Sequence, residues 1–120
     1  MSPIPLISIV DDDEPVREAI ESLLKSVGFK AEVFASAEEF LNSDHLPETE
    51  CLILDVRMPG MSGLELQRQL AAAGSRIPII FITAHGDEEV QAQALKAGAV
   101  AFLRKPFSEE ALLSAVQAAL

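Results

Sequence analysis

The chain has 120 residues, 49% of them hydrophobic, enough for one compact domain with a core and too few for two. A formal net charge of −10, from 19 acids against 9 bases, argues against nucleic acid or an anionic membrane as a partner of this surface and favours a cation or a basic protein. With six Phe, no Trp or Tyr and a single cysteine, the core must be largely aliphatic and an internal disulfide is ruled out.

Met1-Ser2-Pro3-Ile4-Pro5 lacks the basic region and apolar core of a signal peptide, and no run approaches the roughly 20 residues of a membrane span, so a cytoplasmic protein is expected. Leu6-Ile7-Ser8-Ile9-Val10, rich in β-branched residues, reads as strand one, and Asp11-Asp12-Asp13-Glu14 follow it. Asp13 is placed to cap a first helix with Pro15 in its first turn. Val16, Ile20, Leu23, Leu24 and Val27 recur at helical spacing until Gly28.

Strand two is expected over Lys30–Phe34. Ser36-Ala37-Glu38-Glu39 has the capping-box spacing that opens helix two, with Phe40 and Leu41 inward. Residues 43–50 read as a loop. At Cys51 a continuous apolar run begins, the mark of a strand buried on both faces, and it ends abruptly at Asp55 before Pro59-Gly60. Cys51 within that run is expected as a small buried hydrophobe. A second capping-box pattern, Ser62-Gly63-Leu64-Glu65, opens helix three, which runs to about Ala73 before Gly74.

Another apolar strand is expected over 77–83, with Pro78 near its start and Thr83 at its end. Helix four, over 87–97, is thinly apolar, which suggests a mobile element. Strand five over 100–103 leads to Arg104-Lys105-Pro106-Phe107, and Ser108-Glu109-Glu110 opens helix five. Strands and helices alternate five times, implying an α/β fold: a parallel sheet covered on both faces by right-handed crossovers. Helix five is still in pattern at Leu120, so a linker and a further domain are expected beyond a single domain spanning 1–120.

In a parallel sheet the residues just after each strand gather along one edge, where ligands bind. Here they are Asp11, Asp12 and Asp13, then Asp55, Thr83 and Lys105. Clustered carboxylates repel one another unless a cation sits among them, and an oxygen-only set suits Mg²⁺. With a metal and Lys105 meeting phosphoryl oxygens and the Thr83 hydroxyl donating to a third, Asp55 reads as a nucleophile that forms an acyl phosphate. Each residue alone has a blander reading: a solvated helix cap for the acidic triplet, a loop cap for Asp55, a strand-end hydroxyl for Thr83 and a surface lysine for Lys105.

Through Val10-Asp11-Asp12, Asp55-Val56-Arg57-Met58-Pro59-Gly60-Met61-Ser62-Gly63, Thr83-Ala84-His85-Gly86, Lys96-Ala97-Gly98-Ala99 and Lys105-Pro106-Phe107, the chain resembles a response-regulator receiver domain of bacterial two-component signalling. The resemblance covers essentially the whole chain. It implies a doubly wound, flavodoxin-like sheet of five strands in order 2-1-3-4-5, with helices one and five on one face and two, three and four on the other. It implies Asp55 as phosphoacceptor and Mg²⁺ ligand, Asp12 as a direct ligand, Asp11 acting through water and the Arg57 carbonyl as the third protein ligand, with Mn²⁺ as an alternate ion. Thr83, Lys105 and the Ala84 backbone N–H then bind the phosphoryl group, and Thr83 and Phe102 form the switch. Partners implied are a sensor histidine kinase and a phosphorylation-dependent homodimer through helix four, strand five and helix five. A helix-turn-helix output domain downstream is implied by analogy. Lys105-Pro106 is often cis in this family, whereas X–Pro bonds in general favour trans.

Three rivals stand beside this. A haloacid-dehalogenase-type phosphatase shares the aspartate after an apolar strand but needs a second aspartate where Arg57 stands. A receiver-like interaction module working without phosphorylation is opposed by the complete acceptor set. A dinucleotide-binding fold is disfavoured because acids occupy the place of a glycine-rich phosphate loop.

Overall fold

The computed structural model describes residues 4–84 and 88–120. Five parallel strands, β1 (Leu6–Val10), β2 (Lys30–Phe34), β3 (Thr49–Asp55), β4 (Ile79–Thr83) and β5 (Ala101–Arg104), form one sheet in the order β2-β1-β3-β4-β5. Between and after them run α1 (Glu14–Ser26), α2 (Ala37–Leu41), α3 (Gly63–Ala72), α4 (Glu88–Lys96) and α5 (Glu109–Ala119).

Alternation along the strands sends side chains to two cores. Ile7, Ile9, Cys51, Ile53, Ile80 and Ile82 pack with Ile20 and Leu24 of α1 and Leu112 and Val116 of α5. Val10, Leu52, Leu54 and Phe81 pack on the opposite face with Phe40 of α2, Leu66 and Leu70 of α3 and Ala94 of α4. Central strands buried on both faces are why β3 and β4 read as unbroken apolar runs. Each fully buried Leu or Ile contributes about 1.5–3 kcal/mol.

Several boundaries differ from those expected. β3 begins at Thr49, not Cys51, because the Thr49 hydroxyl pairs with Ser8 Oγ at 2.6 Å and bonds the His45 carbonyl at 2.7 Å, which lets a polar residue enter the buried sheet. β4 begins at Ile79: Pro78 lacks a donor, although its carbonyl accepts the Leu52 N–H at 2.9 Å. β5 runs from Ala101 to Arg104, one position later than expected. Asp87, expected to open helix four, lies outside the described residues, as do His85 and Gly86.

The helix ends are also more specific than their spacing. Asp13 occupies the N-cap position of α1, yet its side chain makes no capping bond, and Pro15 at the second helical position has no N–H to offer. Val27, expected inward, ends α1 and is 49% exposed, and Gly28 follows at φ 97°. The capping box of α3 is complete, with the Ser62 hydroxyl accepting the Glu65 N–H at 3.2 Å and Glu65 returning to the Ser62 N–H at 3.5 Å. In α2 the Ser36 hydroxyl accepts the Glu39 N–H at 3.1 Å, but the Glu39 carboxylate takes the N–H of Ala35 at 2.6 Å instead of that of Ser36. The Lys105–Pro106 bond is cis, as the resemblance implied.

Candidate functional site

Strand register assembles the site. β1 and β3 pair Val10 with Leu54, so Asp11 and Asp55 emerge side by side one step further on. β4 and β5 pair Thr83 with Arg104, which brings Ala84 next to Lys105. Four chain segments thus deliver their polar ends to the carboxyl edge of the sheet, as expected for an open α/β fold.

Asp11 is fully buried and each of its three oxygens accepts a hydrogen bond. Its Oδ1 takes the Asp13 N–H at 2.9 Å, its Oδ2 the Lys105 ammonium at 2.7 Å, and its carbonyl the Arg17 guanidinium at 2.7 Å. Asp55, 5% exposed, lies 3.8 Å from Lys105 Nζ. Burial, with repulsion from Asp11 and Asp12, pushes its carboxyl up to about 7, against the opposing pull of Lys105 and the Arg57 backbone N–H.

Asp11, Asp12 and Asp55 each offer one carboxylate oxygen, and these lie within 4.8 Å of one another. The Lys105 ammonium meets two of these carboxylates, those of Asp11 and Asp55, and a hard divalent cation fits the donor chemistry of the three. Asp12 is exposed and reachable from solvent. Asp12, Asp13, Asp55, Arg57, Ala84 and Lys105 line an open cavity of about 400 Å³ above the cluster. A larger cavity of about 610 Å³ sits against Leu6, Lys30 and Glu32, at the opposite edge of the sheet, where both charge signs mix without converging.

Thr83, only 1% exposed, sits beneath the site and off the cavity wall; its carbonyl accepts the Lys105 N–H at 2.7 Å. Phe102 is outside the cavity, half-buried on the α2–α3–α4 face, with its ring 6.2 Å from that of Phe81. Asp13, expected only as a helix cap, joins the cavity wall. Cys51 is buried and its thiol is pushed up to about 12 by burial, which keeps it inert. His45 stands in the α2–β3 loop, 3.7 Å from Glu48 and 4.0 Å from Glu32, and is not among the residues of the aspartate cluster.

Two residues near the site escaped the sequence reading. Arg17 looks like a solvent-facing helix residue, and nothing local signals that it holds Asp11. Gly63 looked like one element of a capping box, but a Cβ there would collide with the Asp55 carbonyl oxygen and come within 3.1 Å of Val56 Cα. A glycine entering a helix just after a functional loop is the signal that marked this close approach.

Residues 7–117 match a family model described as the response regulator receiver domain. Response regulator protein TodT of Pseudomonas putida is 56% identical over 115 residues, a match covering 96% of this chain and 51% of that protein. Among solved structures, response regulator StyR superposes with a TM-score of 0.90 at 53% identity, covering 98% of this chain and 60% of the other. The crystal structure of FixJ-N superposes at 0.87 with 41% identity, covering 99% and 94%. The chain therefore spans about half the length of a full relative such as TodT.

Proposed function

The chain belongs to the response-regulator receiver family, and on that premise we propose that it is the phosphoacceptor switch of a two-component signalling protein, taking a phosphoryl group from a sensor histidine kinase onto Asp55. The observation that carries this reading is the meeting of Asp55 with Lys105 at 3.8 Å and with the carboxylates of Asp11 and Asp12. An Asp55 carboxylate oxygen forms the bond to phosphorus while the phosphorus–nitrogen bond of a phosphohistidine breaks and its electron pair leaves with the imidazole.

Asp12, Asp55 and the Arg57 carbonyl would hold Mg²⁺, or Mn²⁺ in its place, with Asp11 acting through water. When bound, the ion supplies neutralisation of the phosphoryl and carboxylate charge. Lys105 supplies a second positive charge, and the Ala84 N–H and Thr83 hydroxyl donate to the remaining oxygens. These groups bind and position. They make a group that accepts once and at most slowly releases phosphate, not an enzyme turning over a pool of substrate.

Thr83 and Phe102 form the switch in this proposal. Thr83 lies two residues beyond Phe81 on β4, so both side chains leave the sheet on the face where Phe102 packs. Drawing the hydroxyl toward a phosphoryl group opens space into which Phe102 turns, a shift between two packings of one fold. The face of α4, β5 and α5 then forms a homodimer. Relatives named as transcriptional regulatory proteins, and the half-length coverage, support an output domain beyond the receiver domain of residues 1–120. The net charge of −10 supports the reading that nucleic-acid contact, in the cytoplasm, falls to that other domain. Among the described residues no helix is long and apolar enough to cross a membrane.

Incubation with Mg²⁺ and acetyl phosphate, followed by intact mass, tests the proposal. A single phosphoryl adduct is expected, lost in Asp55→Asn and after chelation. An unmodified wild-type protein would overturn it, and steady phosphate release from unrelated phosphoesters would mark a phosphatase.

A further inference from the structure

The loop 56–62 leaves β3 at the phosphoacceptor and enters α3, and both of its ends are pinned. At the start the Val56 N–H donates to the Ile82 carbonyl at 3.1 Å; at the end the Gly63 N–H donates to the Val56 carbonyl at 2.9 Å. Between them Met58 is buried, whereas Pro59 and Gly60 are exposed. Across this exposed middle reaches Glu38, from the first turn of α2. Its Oε2 accepts the Met61 N–H at 3.3 Å. The same oxygen lies 2.7 Å from where a Cβ on Gly60 would stand, and Gly60 has φ 76°. The left-handed backbone is what requires glycine at this position, and the carboxylate lies against it.

Glu38 is an exposed residue, yet its carboxylate is turned onto the loop backbone. We propose that Glu38 is a positioning residue: it clamps Met61 and Gly60 and so sets the orientation of the Arg57 carbonyl and the affinity of the site for Mg²⁺. Transmission is short. Arg57 stands four positions before Met61, with a buried Met58 and a φ-restricted Pro59 between them, so a displaced Met61 tilts the peptide that carries the carbonyl. The inference rests on the reading of the Arg57 carbonyl as a metal ligand.

The test compares Glu38→Ala, Glu38→Gln and Asp12→Asn by calorimetric Mg²⁺ titration and by amide exchange at Met61 in metal-free protein. Glu38→Ala is expected to bind Mg²⁺ about two- to five-fold more weakly, the loss of one exposed hydrogen bond, and to exchange the Met61 amide faster. Glu38→Gln, which keeps an acceptor oxygen but loses the charge, is expected to restore both. Wild-type Mg²⁺ affinity in Glu38→Ala overturns the clamp, and so does a Glu38→Gln variant as weak as alanine, which would make Glu38 a remote charge only. If Asp12→Asn abolishes Mg²⁺ binding while Glu38→Ala does not change it, the metal site stands and the clamp alone fails. If Asp12→Asn also leaves binding unchanged, the metal reading falls and takes the clamp with it.

Discussion

Replacing Asp55 by asparagine should stabilise the metal-free protein, and only above the acid range. In the folded chain the Asp55 carboxyl titrates at about 7 against an ordinary value of 3.8. Between these pH values the folded state holds a proton that the unfolded state has released, so stability falls as pH rises through the window, and the cost is complete above about pH 7. At 1.36 kcal/mol per pH unit this displacement corresponds to roughly 4 kcal/mol. The carboxylate opens on a water-accessible cavity, and screening by that solvent brings the effective cost to about 2 kcal/mol. Asparagine keeps the shape and one acceptor for the Arg57 N–H while shedding the charge. At pH 8 with chelator the Asn variant should unfold at a midpoint about 4–10 °C above wild type, and near pH 4 the two should coincide. Far-UV circular dichroism is the suitable probe because the chain has no Trp or Tyr. An Asn variant no more stable than wild type at pH 8, or a difference that ignores pH, would refute the reasoning.

Mg²⁺ should reverse that order by stabilising wild type and not Asp55→Asn, by about 2.7 kcal/mol at a hundred times its dissociation constant. The gain should shrink at pH 5.5, where the ion must displace a proton, and a pH-independent melting shift would contradict this. Gly63→Ala places a methyl against backbone that cannot give way, so a loss of about 2–3 kcal/mol in urea unfolding is expected, together with poorer phosphorylation; unchanged stability would mean that α3 can slide. Lys105→Ala should keep the fold but drive the Asp55 carboxyl above its value of about 7, visible in a carbon-13 carboxyl titration, and abolish phosphate-dependent self-association. Intact self-association in that variant would detach Lys105 from the switch. Phe40→Ala removes a fully buried ring that meets Phe34 edge-on at 5.3 Å, and should cost about 3–5 kcal/mol by thermal melting.

How much of this was legible depends on the range of each interaction. Asp55 could be found because an apolar run ending in one acid is a local pattern, and strand alternation with helices announced a parallel sheet. The strand order came from resemblance, since periodicity identifies an element and its buried face but not its neighbour. Thr49 reads as loop from its neighbours alone, because its hydroxyl is satisfied by Ser8, 41 residues away, a partner no local window contains. Glu38 looked like a helix-opening acid for the same reason, its contact with Met61 spanning 23 residues.

By itself the sequence determined the elements, the buried faces, the acidic character of the sheet edge and the identity of the candidate nucleophile, because hydrophobic period, caps and turn residues act within a few positions. Only the tertiary structure decided the electrostatics. Asp11 meets Lys105 across 94 residues, and their 2.7 Å contact, with the burial of Asp55 beside it, exists only once register has brought the strand ends together. Desolvation and Coulomb energy depend on distance and burial in space, and neither is written in the order of residues along the chain.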